Sequence, residues 1–383
     1  MHGLGKEMTL VAKLALIAKD ATAALDLLNF TRLRVRAPSW KAIQETNQSL
    51  MGVKPDSRIL PKYAVLKDVS LTNGGTIRQK NTFVDWDASQ SPCLDFVAGN
   101  WGSVVGSMAN IEECYVKNIS SGEAISSGII LSSRCDSNWF HFVIETLPRL
   151  FLIDDLVSPE VPVLVSNRVP KNGVELLKLV TGREVIFIDT EKETQIKLAY
   201  LAGPVIYHPD TQFSWGTESR SKLNFDALLT LRQRVLGAIG ENDTSISRNK
   251  TFWTRPAATR SILNESRLSK ILERDGFETT NPGEESFAEQ VKSIRRSSVL
   301  FAVGGALMAN FIFARQDLRI FLLVSTLGAD YKMPRYLTEI SGSKLTVISG
   351  RVLGACLTSS FLQLLHLSFV VPPRKIRRVL RDL

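Results

Sequence analysis

DSNWFHFVIETLPR, residues 136–149, has the spacing of a short helix, and the interpretation of the rest of the chain starts from it. Asp136 or Ser137 is expected to cap the first amides of this helix. One face has the composition of a protein core at helical spacing, and its members are Trp139, Phe142, Val143, Thr146, Leu147 and Leu150. Pro148 lacks the amide that would bond the carbonyl of Ile144, so it kinks or ends the helix.

A second face of the same helix is polar and carries Asn138, His141, Glu145 and Arg149. Such groups are costly to bury unless they are paired or used. A single His or Glu at a helix edge is more often a solvated or hydrogen-bonded structural residue. Four of them in one stripe, beside aromatic residues, favour a functional site about as much as a structural one.

The composition is that of a soluble globular protein long enough for two domains. Of its 383 residues, 44% are hydrophobic and 22% are charged. No stretch reaches the run of about 18 uncharged apolar residues that a membrane span needs, and residues 1–13 lack the order of a signal peptide. The 4 cysteines are too few and too dispersed for a disulfide framework or a zinc site. We therefore expect a cytoplasmic protein.

The net charge of +9 is uneven, with a basic run over residues 374–381. Basic runs suit nucleic acid, anionic lipid or phosphorylated ligands. A solvated tail is the commoner explanation, and peripheral contact of this run with an anionic inner membrane is the functional alternative. No basic strand interleaved with aromatic residues, zinc finger or recognition helix indicates a nucleic-acid partner. The sequence leaves the oligomeric state open.

The first part of the chain has two recognisable patterns. Residues 8–35 have apolar residues at helical spacing, which predicts an N-terminal helix. Residues 63–84 alternate with period two on either side of Asn73-Gly74-Gly75, which predicts a hairpin with a glycine turn.

From residue 124 onward, predicted strands and helices alternate, which indicates parallel sheets covered by helices on both faces. The polar segment 241–249 is the predicted boundary between a domain of residues 1–240 and a domain of residues 241–383. The second domain is expected to close with a helix over residues 353–369, which could pack back on the body. The predicted fold class is α/β, with two Rossmann-like, doubly wound domains facing across a cleft.

A second group of candidate residues follows the strand predicted at residues 251–254. Arg255 and Arg260 come just after this strand, at the carboxyl edge of the sheet where phosphate-bearing ligands lie. Arginine suits a diphosphate because its planar fork bonds two oxygens at once and keeps its proton. Asn264 and Glu265 would open the next helix, and an ion pair between Arg260 and Glu265 is the structural alternative.

Further along, Glu289 and Gln290 lie on a predicted helix, and the predicted strand 299–303 runs into Gly304-Gly305, with Asn310 beyond. Glycines between a strand and a helix let backbone amides approach a phosphate, and the helix N-terminus adds a favourable field. Gly-Gly turns of this kind are also common for steric reasons alone. The position after the arginine segment adds weight to the functional interpretation.

Two parts of the chain, together covering roughly residues 120 to 320, resemble glycosyltransferase family 61. Asn-Trp-Phe-His-Phe-x-x-Glu-x-Leu-Pro-Arg-Leu, residues 138–150, is similar to a family segment of the form Asn-x-x-His-aromatic-x-x-Glu/Asp-x-Leu-Pro-Arg. The second part follows the order of the family's C-terminal half, with Arg-Pro, Arg and Asn-Glu within 255–265, Gly-Phe-Glu at 276–278, Ser-Phe-Ala-Glu-Gln at 286–290, and Gly-Ala at 305–306 followed by Asn310. Gly304 stands where the family has a histidine.

The resemblance implies a GT-B-type glycosyltransferase that moves a sugar from a nucleotide-diphosphate donor to a glycan or other hydroxyl acceptor, with inversion. A bacterial capsular-polysaccharide type of pathway is the expected setting. An inverting transfer needs a base for the acceptor hydroxyl and cations or amides for the departing diphosphate. His141 or Glu145 would be the base, with Asp136 as a further candidate.

The resemblance and the residue types also imply a set of donor- and acceptor-binding groups. Arg255, Arg260 and the amides after Gly304 would hold the diphosphate, and Glu289 would bind a ribose hydroxyl. Asn138 and Arg149 would orient the reacting groups. The full set is Asn138, Arg149, Arg255, Arg260, Asn264, Glu289, Gln290, Gly304, Gly305 and Asn310.

No catalytic metal or resident cofactor is expected, and the acid pair Asp154-Asp155 is interpreted as surface charge rather than a cation clamp. Because Gly304 replaces the family histidine, a catalytically weak or inactive nucleotide-sugar-binding protein of the same fold is an alternative. A dinucleotide-dependent oxidoreductase would need a Gly-x-Gly-x-x-Gly turn between a strand and a helix, and the sequence has none.

Overall fold

A computed structural model describes residues 30–36, 38–39, 41–42, 62–72, 75–84, 104–106, 113–133, 135–207, 210–211, 214–215, 222–240, 249–255, 260–329, 331–352 and 367–383. The chain divides into two compact units. Unit 1 takes its described residues from 1–170, 182–211 and 219–227, and unit 2 from 171–181, 212–218 and 228–383. The domain boundary between residues 240 and 241 stays a prediction.

Unit 1 is built on a mixed sheet, to which the described residues contribute 11 strands. They are β1 (Phe30–Arg36), β2 (Lys41–Ala42), β3 (Lys62–Thr72), β4 (Thr76–Gln79), β5 (Thr82–Val84), β6 (Val104–Gly106), β7 (Glu113–Lys117), β8 (Ser121–Ile130), β9 (Val163–Ser166), β10 (Val185–Ile188) and β11 (Glu193–Ala202). Their order is β10-β9-β8-β11-β3-β4-β5-β1-β7-β6, with β2 paired to β3.

The parallel alternation predicted for this half is present in part of the sheet. Strands β10, β9, β8 and β11 pair in parallel, whereas β11 with β3, β3 with β4, and β4 with β5 are antiparallel. The short connections around β3, β4 and β5 leave no room for a crossover helix, so these strands form hairpins instead. Unit 1 is therefore a mixed α/β structure and differs here from the doubly wound sheet that was expected.

The hairpin predicted around Asn73-Gly74-Gly75 is confirmed as the β3–β4 pair, and Gly75 has φ +94, which glycine adopts without strain. Residues 8–29 of the predicted N-terminal helix lie outside the described residues. The helix prediction is wrong for residues 30–35, which belong to β1. Pairing with β5 and β7 decides the structure there, and Leu33 joins a buried cluster with Phe83, Cys114 and Val116.

Between β8 and β9 runs one continuous helical segment, residues 139–156, here called the composite helix. It begins as α1 (Trp139–His141), widens into a π-helix (Phe142–Thr146), tightens into a 3-10 turn (Leu147–Arg149), and continues as α2 (Leu150–Ile153) and a 3-10 turn (Asp154–Leu156). The predicted helix is confirmed, and it continues past Pro148 with a change of geometry. Its buried face includes Phe142, Val143, Leu147 and Leu150, all 0% exposed.

Helix α3 (Lys171–Val180) follows β9, and its residues belong to unit 2. After β11 come two small strand pairs, β12 (Ile206–Tyr207) with β15 (Lys222–Leu223) and β13 (Asp210–Thr211) with β14 (Ser214–Trp215). The long helix α4 (Phe225–Ile239) follows.

Unit 2 contains the mostly parallel sheet that the sequence predicted. Its strands are β16 (Asn249–Trp253), β17 (Phe277–Thr280), β18 (Ser297–Val303), β19 (Arg319–Ser325), β20 (Lys344–Val352) and β21 (Phe369–Val370), in the order β17-β16-β18-β19-β20-β21. The first five are parallel and β21 is antiparallel to β20. Numbered from β16, the parallel strands have the order 2-1-3-4-5, so the chain reverses direction across the sheet between β16 and β18.

The described helices that cover this sheet are α5 (Glu265–Arg274), α6 (Phe287–Arg296), α7 (Met333–Ser341) and α8 (Pro373–Arg381). Short 3-10 helices span Pro282–Glu284, Ala306–Phe313 and Thr326–Gly328. Most of the predicted closing helix lies outside the described residues, and at its end Phe369 belongs to β21 instead. Among the described residues, no helix has the length and apolar character needed to cross a bilayer.

Candidate active site

The composite helix starts at Asn138, whose side-chain Oδ1 accepts a hydrogen bond of 2.9 Å from the amide of Phe140. Asn138 is thus the N-cap, and the expectation that Asp136 or Ser137 would cap the helix is wrong. An N-cap satisfies one of the amides that lack a partner in the first turn. Asn138, predicted as an orienting group, has its side-chain oxygen engaged in this cap.

His141 and Glu145 form a side-chain pair one helical turn apart. Nδ1 of His141 lies 2.9 Å from Oε2 of Glu145, and the two side chains are 31% and 28% exposed. A carboxylate next to Nδ1 favours the tautomer with its proton on Nδ1. In that tautomer Nε2 carries the lone pair that can accept a proton, so the pair has the arrangement of a base with its orienting acid.

The π-helix between His141 and Pro148 explains how the segment stays helical despite the proline. The amide of Leu147 bonds the carbonyl of Phe142, five residues back, and the amide of Leu150 then bonds the carbonyls of Leu147 and Pro148. Pro148 has no amide hydrogen to donate, and these hydrogen bonds from the residues on either side of it keep the segment helical. π-helical turns are rare and are often found at functional sites.

Asp136 lies in the buried loop that leads into the composite helix and is 0% exposed. Its carboxylate accepts from the Oγ of Ser132 (2.9 Å) and from the amide and Oγ of Ser133 (both 2.8 Å). Ser133 Oγ also lies 2.9 Å from Thr146 Oγ1, within the π-helix. Burial raises the pKa of Asp136, and the hydrogen bonds from Ser133 and Ser132 oppose this. The carboxylate thus ties the loop to the helix and is shielded from solvent.

Arg149 is also placed in the interior, with 0% exposure. Its Nε and Nη2 donate to the carbonyl oxygen of Ala202 at 3.3 and 3.1 Å, at the end of β11. Of the polar stripe predicted on this helix, only His141 and Glu145 are therefore partly exposed and paired, while Arg149 joins the helix to the sheet.

In unit 2 the carboxyl ends of β16 and β18 bring Arg255 next to Gly304 and Gly305. Nη1 of Arg255 donates to the carbonyl oxygen of Gly304 at 3.1 Å. A Cβ built on Gly305 would lie 2.6 Å from the same Nη1, so the guanidinium rests directly on the glycine backbone. These groups meet where the strand order reverses, which is where ligands bind in open α/β sheets.

Arg260 lies in the same region with a left-handed backbone, φ +62. Burial lowers the pKa of Arg255, and the positive charge of Arg260 lowers it further. Burial also lowers the pKa of Arg260, with Tyr331 acting in the opposite direction. Neither arginine forms an ion pair with the described residues. Nε of Arg260 is buried and has no hydrogen-bond partner among them. The carboxyl of Glu265, whose pKa is raised by burial, accepts a hydrogen bond from the backbone amide of Arg255. Two partly buried cations whose side chains have no ion-pair partner among the described residues form a site for an anionic ligand.

A pocket of about 530 Å³, counting the solvent at its mouth, opens beside these groups and is here called the Arg260 pocket. Its lining is Arg260, Gly304, Gly305, Met308, Leu322, Val324, Ser325, Gly328, Tyr331, Pro334 and Phe369. The sequence interpretation missed Ser325 and Tyr331. Ser325 ends β19, the next strand along the sheet from β18, and Tyr331 lies a few residues beyond it, so their position at this edge of the sheet could have indicated them.

Gly304 has no room for a side chain. A Cβ at this position would lie 2.6 Å from Cγ1 of Val324 and 3.3 Å from the carbonyl oxygen of Leu323. The space that the family histidine would enter is thus partly filled by Val324.

Three other predicted donor ligands have structural partners instead. Asn264 exchanges two hydrogen bonds with the backbone of Val371, at 2.8 and 3.1 Å. Nδ2 of Asn310 donates to Oε1 of Gln290 at 2.7 Å, and both are buried. Gln290 in turn donates to the carbonyl of Pro282 at 2.6 Å.

Glu289 is fully exposed and belongs to a capping box at the start of α6, where it accepts from the amide and Oγ of Ser286. These hydrogen bonds lower the pKa of Glu289. It lines an open groove with Glu278, Glu284 and Glu285, separate from the Arg260 pocket. The structure therefore does not bring Glu289 together with Arg255 and Arg260.

Among the described residues, no three His, Cys, Asp or Glu side chains converge as metal ligands. Asp154 pairs with Arg183 at 2.7 Å, and these side chains are only 17% and 6% exposed, so Asp154 forms a mostly buried ion pair rather than surface charge. Asp155 is exposed.

A doubly wound sheet with a cationic pocket at its reversal point is the architecture of proteins that bind phosphorylated ligands. Residues 139–321 match the family model described as Glycosyltransferase 61. The chain therefore carries a glycosyltransferase family 61 domain, and a family of this kind implies a transferase with a sugar donor and an acceptor. The match begins at the first residue of the composite helix and ends in β19, so it includes the His141–Glu145 pair and both arginines. No curated protein matches the chain.

Proposed function

We propose that this protein is an inverting glycosyltransferase of the GT-B type that transfers a hexose or pentose from a nucleotide-diphosphate donor to a hydroxyl of a glycan. In this proposal the enzyme works in the cytoplasm in the synthesis of a surface polysaccharide. The Glycosyltransferase 61 match supports the transferase class. The sugar, the acceptor and the inversion are part of the proposal.

The observation that carries the proposal is the arginine pair at the reversal point of the unit 2 sheet. Arg255 and Arg260 are partly buried, and they are close enough for Arg260 to affect the pKa of Arg255. Their guanidinium groups form no ion pair with the described residues, and the nearby Glu265 carboxyl accepts from the backbone amide of Arg255. A diphosphate would relieve the repulsion between them and satisfy the buried Nε of Arg260. The same charges stabilise the diphosphate as it departs, which is the main electrostatic requirement of the reaction.

The His141–Glu145 pair supplies the proton transfer. The acceptor hydroxyl gives its proton to Nε2 of His141, and its oxygen bonds the anomeric carbon on the face opposite the diphosphate. The bond from that carbon to the diphosphate oxygen breaks, and its electron pair leaves with the diphosphate. Glu145, 2.9 Å from Nδ1, holds the ring and stabilises the imidazolium that forms.

The other candidates take supporting roles in this mechanism. The full burial of Asp136 favours His141 over it as the base, and Asp136, Asn138 and Arg149 position the composite helix. We assign no metal ion to the reaction, because the two arginines provide the positive charge. Glu289 as a ribose ligand stays a prediction, and its place in a capping box argues against it.

The test uses the purified full chain with a panel of nucleotide sugars. A donor that binds the folded state raises the melting temperature, and transfer of its labelled sugar to an acceptor measures the reaction. We expect His141→Ala to abolish transfer while the donor still raises the melting temperature. Asp155→Asn is the matched control, since Asp155 is an exposed acid of the same composite helix. Transfer at wild-type rate by His141→Ala would contradict the mechanism.

The alternative, a catalytically weak or inactive nucleotide-sugar-binding protein, is favoured by one observation. Gly304 offers no side chain to the donor, and Val324 occupies part of the space beside it. This alternative predicts that a nucleotide sugar raises the melting temperature but that neither transfer nor donor hydrolysis occurs.

A further inference from the structure

The basic run over residues 374–381 lies in a folded helix, α8 (Pro373–Arg381), rather than in a solvated tail. Helix α8 packs Ile376, 0% exposed, into the core cluster of unit 2, with Val379 and Leu380 partly buried against the same cluster. At helical spacing these three residues occupy one half of the helix surface. The opposite half carries Arg374, Arg377, Arg378 and Arg381, all exposed.

Helix α5 adds two more arginines beside this surface. Ile271 of α5 packs against the cluster that also contains Ile376, and Asn264, just before α5, bonds the backbone of Val371, just before α8. Arg267 and Arg274 lie four residues before and three residues after Ile271, so they lie on the same side of α5. Both are exposed. The two acids of this helix, Glu265 and Glu273, fall on the side away from Ile271 at helical spacing.

These six residues, Arg267, Arg274, Arg374, Arg377, Arg378 and Arg381, are here called the arginine face. With the described residues their guanidinium groups form no ion pair and no hydrogen bond. Ordinary surfaces intersperse charges of both signs. A face of six unpaired cations on two adjacent helices therefore indicates an anionic partner with many charges.

We propose that the arginine face docks unit 2 onto the anionic headgroups of a phospholipid bilayer. The proposal is independent of the transferase reaction. Clusters of four to eight basic residues on a helix are typical of such contacts. Two helices side by side, each about 10–12 Å across, form a face wider than the major groove of DNA, which is about 12 Å wide. The surface of a bilayer is not limited in width in this way.

The packing of α8 also determines the kind of attachment. The apolar half of the helix is used in the core of unit 2, so it is not available to enter the acyl region, as it would in an interfacial amphipathic helix. Attachment is therefore electrostatic, reversible by salt, and absent from neutral lipid.

The test measures co-sedimentation of the full chain with phosphatidylcholine vesicles, with and without phosphatidylglycerol. We expect binding only to the anionic vesicles, and its loss at about 1 M salt, where the Debye length is about 3 Å. Each cation near such a surface changes the partition coefficient about fivefold. The triple variant Arg374→Gln, Arg377→Gln, Arg378→Gln should therefore bind about a hundredfold more weakly. Glutamine is a good helix former, and an unchanged melting temperature checks that α8 remains folded.

The matched control removes three exposed lysines elsewhere, with Lys67→Gln, Lys178→Gln and Lys197→Gln, and should bind as the wild type does. Equal loss in both triple variants would overturn the proposal, because net charge alone would then account for binding. Equal binding to neutral vesicles would also overturn it. Displacement of the protein from vesicles by inorganic phosphate, under conditions where chloride of the same ionic strength has no effect, would overturn the proposal. A triple variant of the arginine face that loses affinity for duplex DNA but not for vesicles would overturn it as well.

Discussion

The guanidinium of Arg255 donates to the carbonyl oxygen of Gly304 at 3.1 Å and lies against the Cα of Gly305. One arginine from the end of β16 is thus held by two glycines from the end of β18. Because any Cβ at residue 305 would enter the space of this guanidinium, the glycine determines where the positive charge sits.

Gly305→Ala should displace Arg255 and weaken donor binding with little loss of stability. The new Cβ would lie 2.6 Å from Nη1, at the flexible end of a side chain that can move away. We expect a higher KM for the nucleotide sugar, a lesser effect on kcat, and a change in unfolding free energy below about 1 kcal/mol.

The control for this variant is Gly237→Ala, since nothing lies within 4 Å of a Cβ at residue 237. Steady-state kinetics and urea unfolding of both variants measure the two effects. An unchanged KM in Gly305→Ala would show that the position of Arg255 does not affect donor binding.

Gly304→Ala should destabilise unit 2 because its Cβ meets Cγ1 of Val324 at 2.6 Å. Overpacking of this kind costs about 1–3 kcal/mol. Adding Val324→Ala removes the clash, so the double variant should lose less stability than the sum of the two single variants. Urea unfolding of the four proteins in this cycle provides the measurement, and strict additivity would contradict the packing argument.

Glu145→Gln should lower kcat while leaving donor binding unchanged. The neutral amide occupies the same place beside Nδ1 of His141, but it does not stabilise the imidazolium. The rate gained from base catalysis should therefore fall by a factor of up to about a hundred. The measurement is the pH profile of kcat. We expect kcat to be lower than in the wild type and its dependence on pH to change on the acid side of the profile. A variant with the wild-type profile would assign Glu145 a structural role only.

Asp136→Asn should flatten the pH dependence of stability. The pKa of Asp136 is raised above its ordinary value of 3.8 by burial, with opposing hydrogen bonds from Ser133 and Ser132. Between the unfolded and folded pKa values the folded state binds more protons, so the wild-type protein loses stability as the pH rises through this window. Asparagine does not titrate. Its side-chain oxygen can replace Oδ2 as the acceptor for Ser132 Oγ and the Ser133 amide, while its NH2 group can donate to Ser133 Oγ in place of accepting from it.

The difference in unfolding free energy between Asp136→Asn and the wild type should therefore increase in favour of the variant as the pH rises from about 4, and level off above the folded pKa. Urea unfolding at pH values up to about 8 measures this difference. A constant difference across that range would show that Asp136 does not titrate in it.

Much of the fold of unit 2 could be predicted from the sequence, because each element there carries its own local signal. The alternation of predicted strands and helices indicated this sheet, and Gly304-Gly305 indicated the end of β18. Unit 1 was harder to predict, because its hairpins and β1 depend on partners distant in the sequence. Residues 30–35 have helical spacing, yet they pair with β5 and β7.

The candidate site could also be predicted only in part. The spacing of His141 and Glu145 predicted that they share one face of a helix, and the positions of Arg255, Gly304 and Gly305 after predicted strands indicated the carboxyl edge of the sheet. Gln290 and Asn310 were predicted as donor ligands from their types. Their burial against each other shows that they join α6 to the 3-10 helix at Ala306–Phe313.

By itself the sequence determined which residues could do chemistry and which of them share a helix face or follow a strand, because these relationships depend on local periodicity. Only the tertiary structure decided which polar groups are exposed and which are buried. Arg149 and His141 lie on the same predicted stripe, but the carbonyl of Ala202, 53 residues away in the chain, draws Arg149 into the interior. Burial is set by contacts between distant segments, and local spacing contains no information about those contacts.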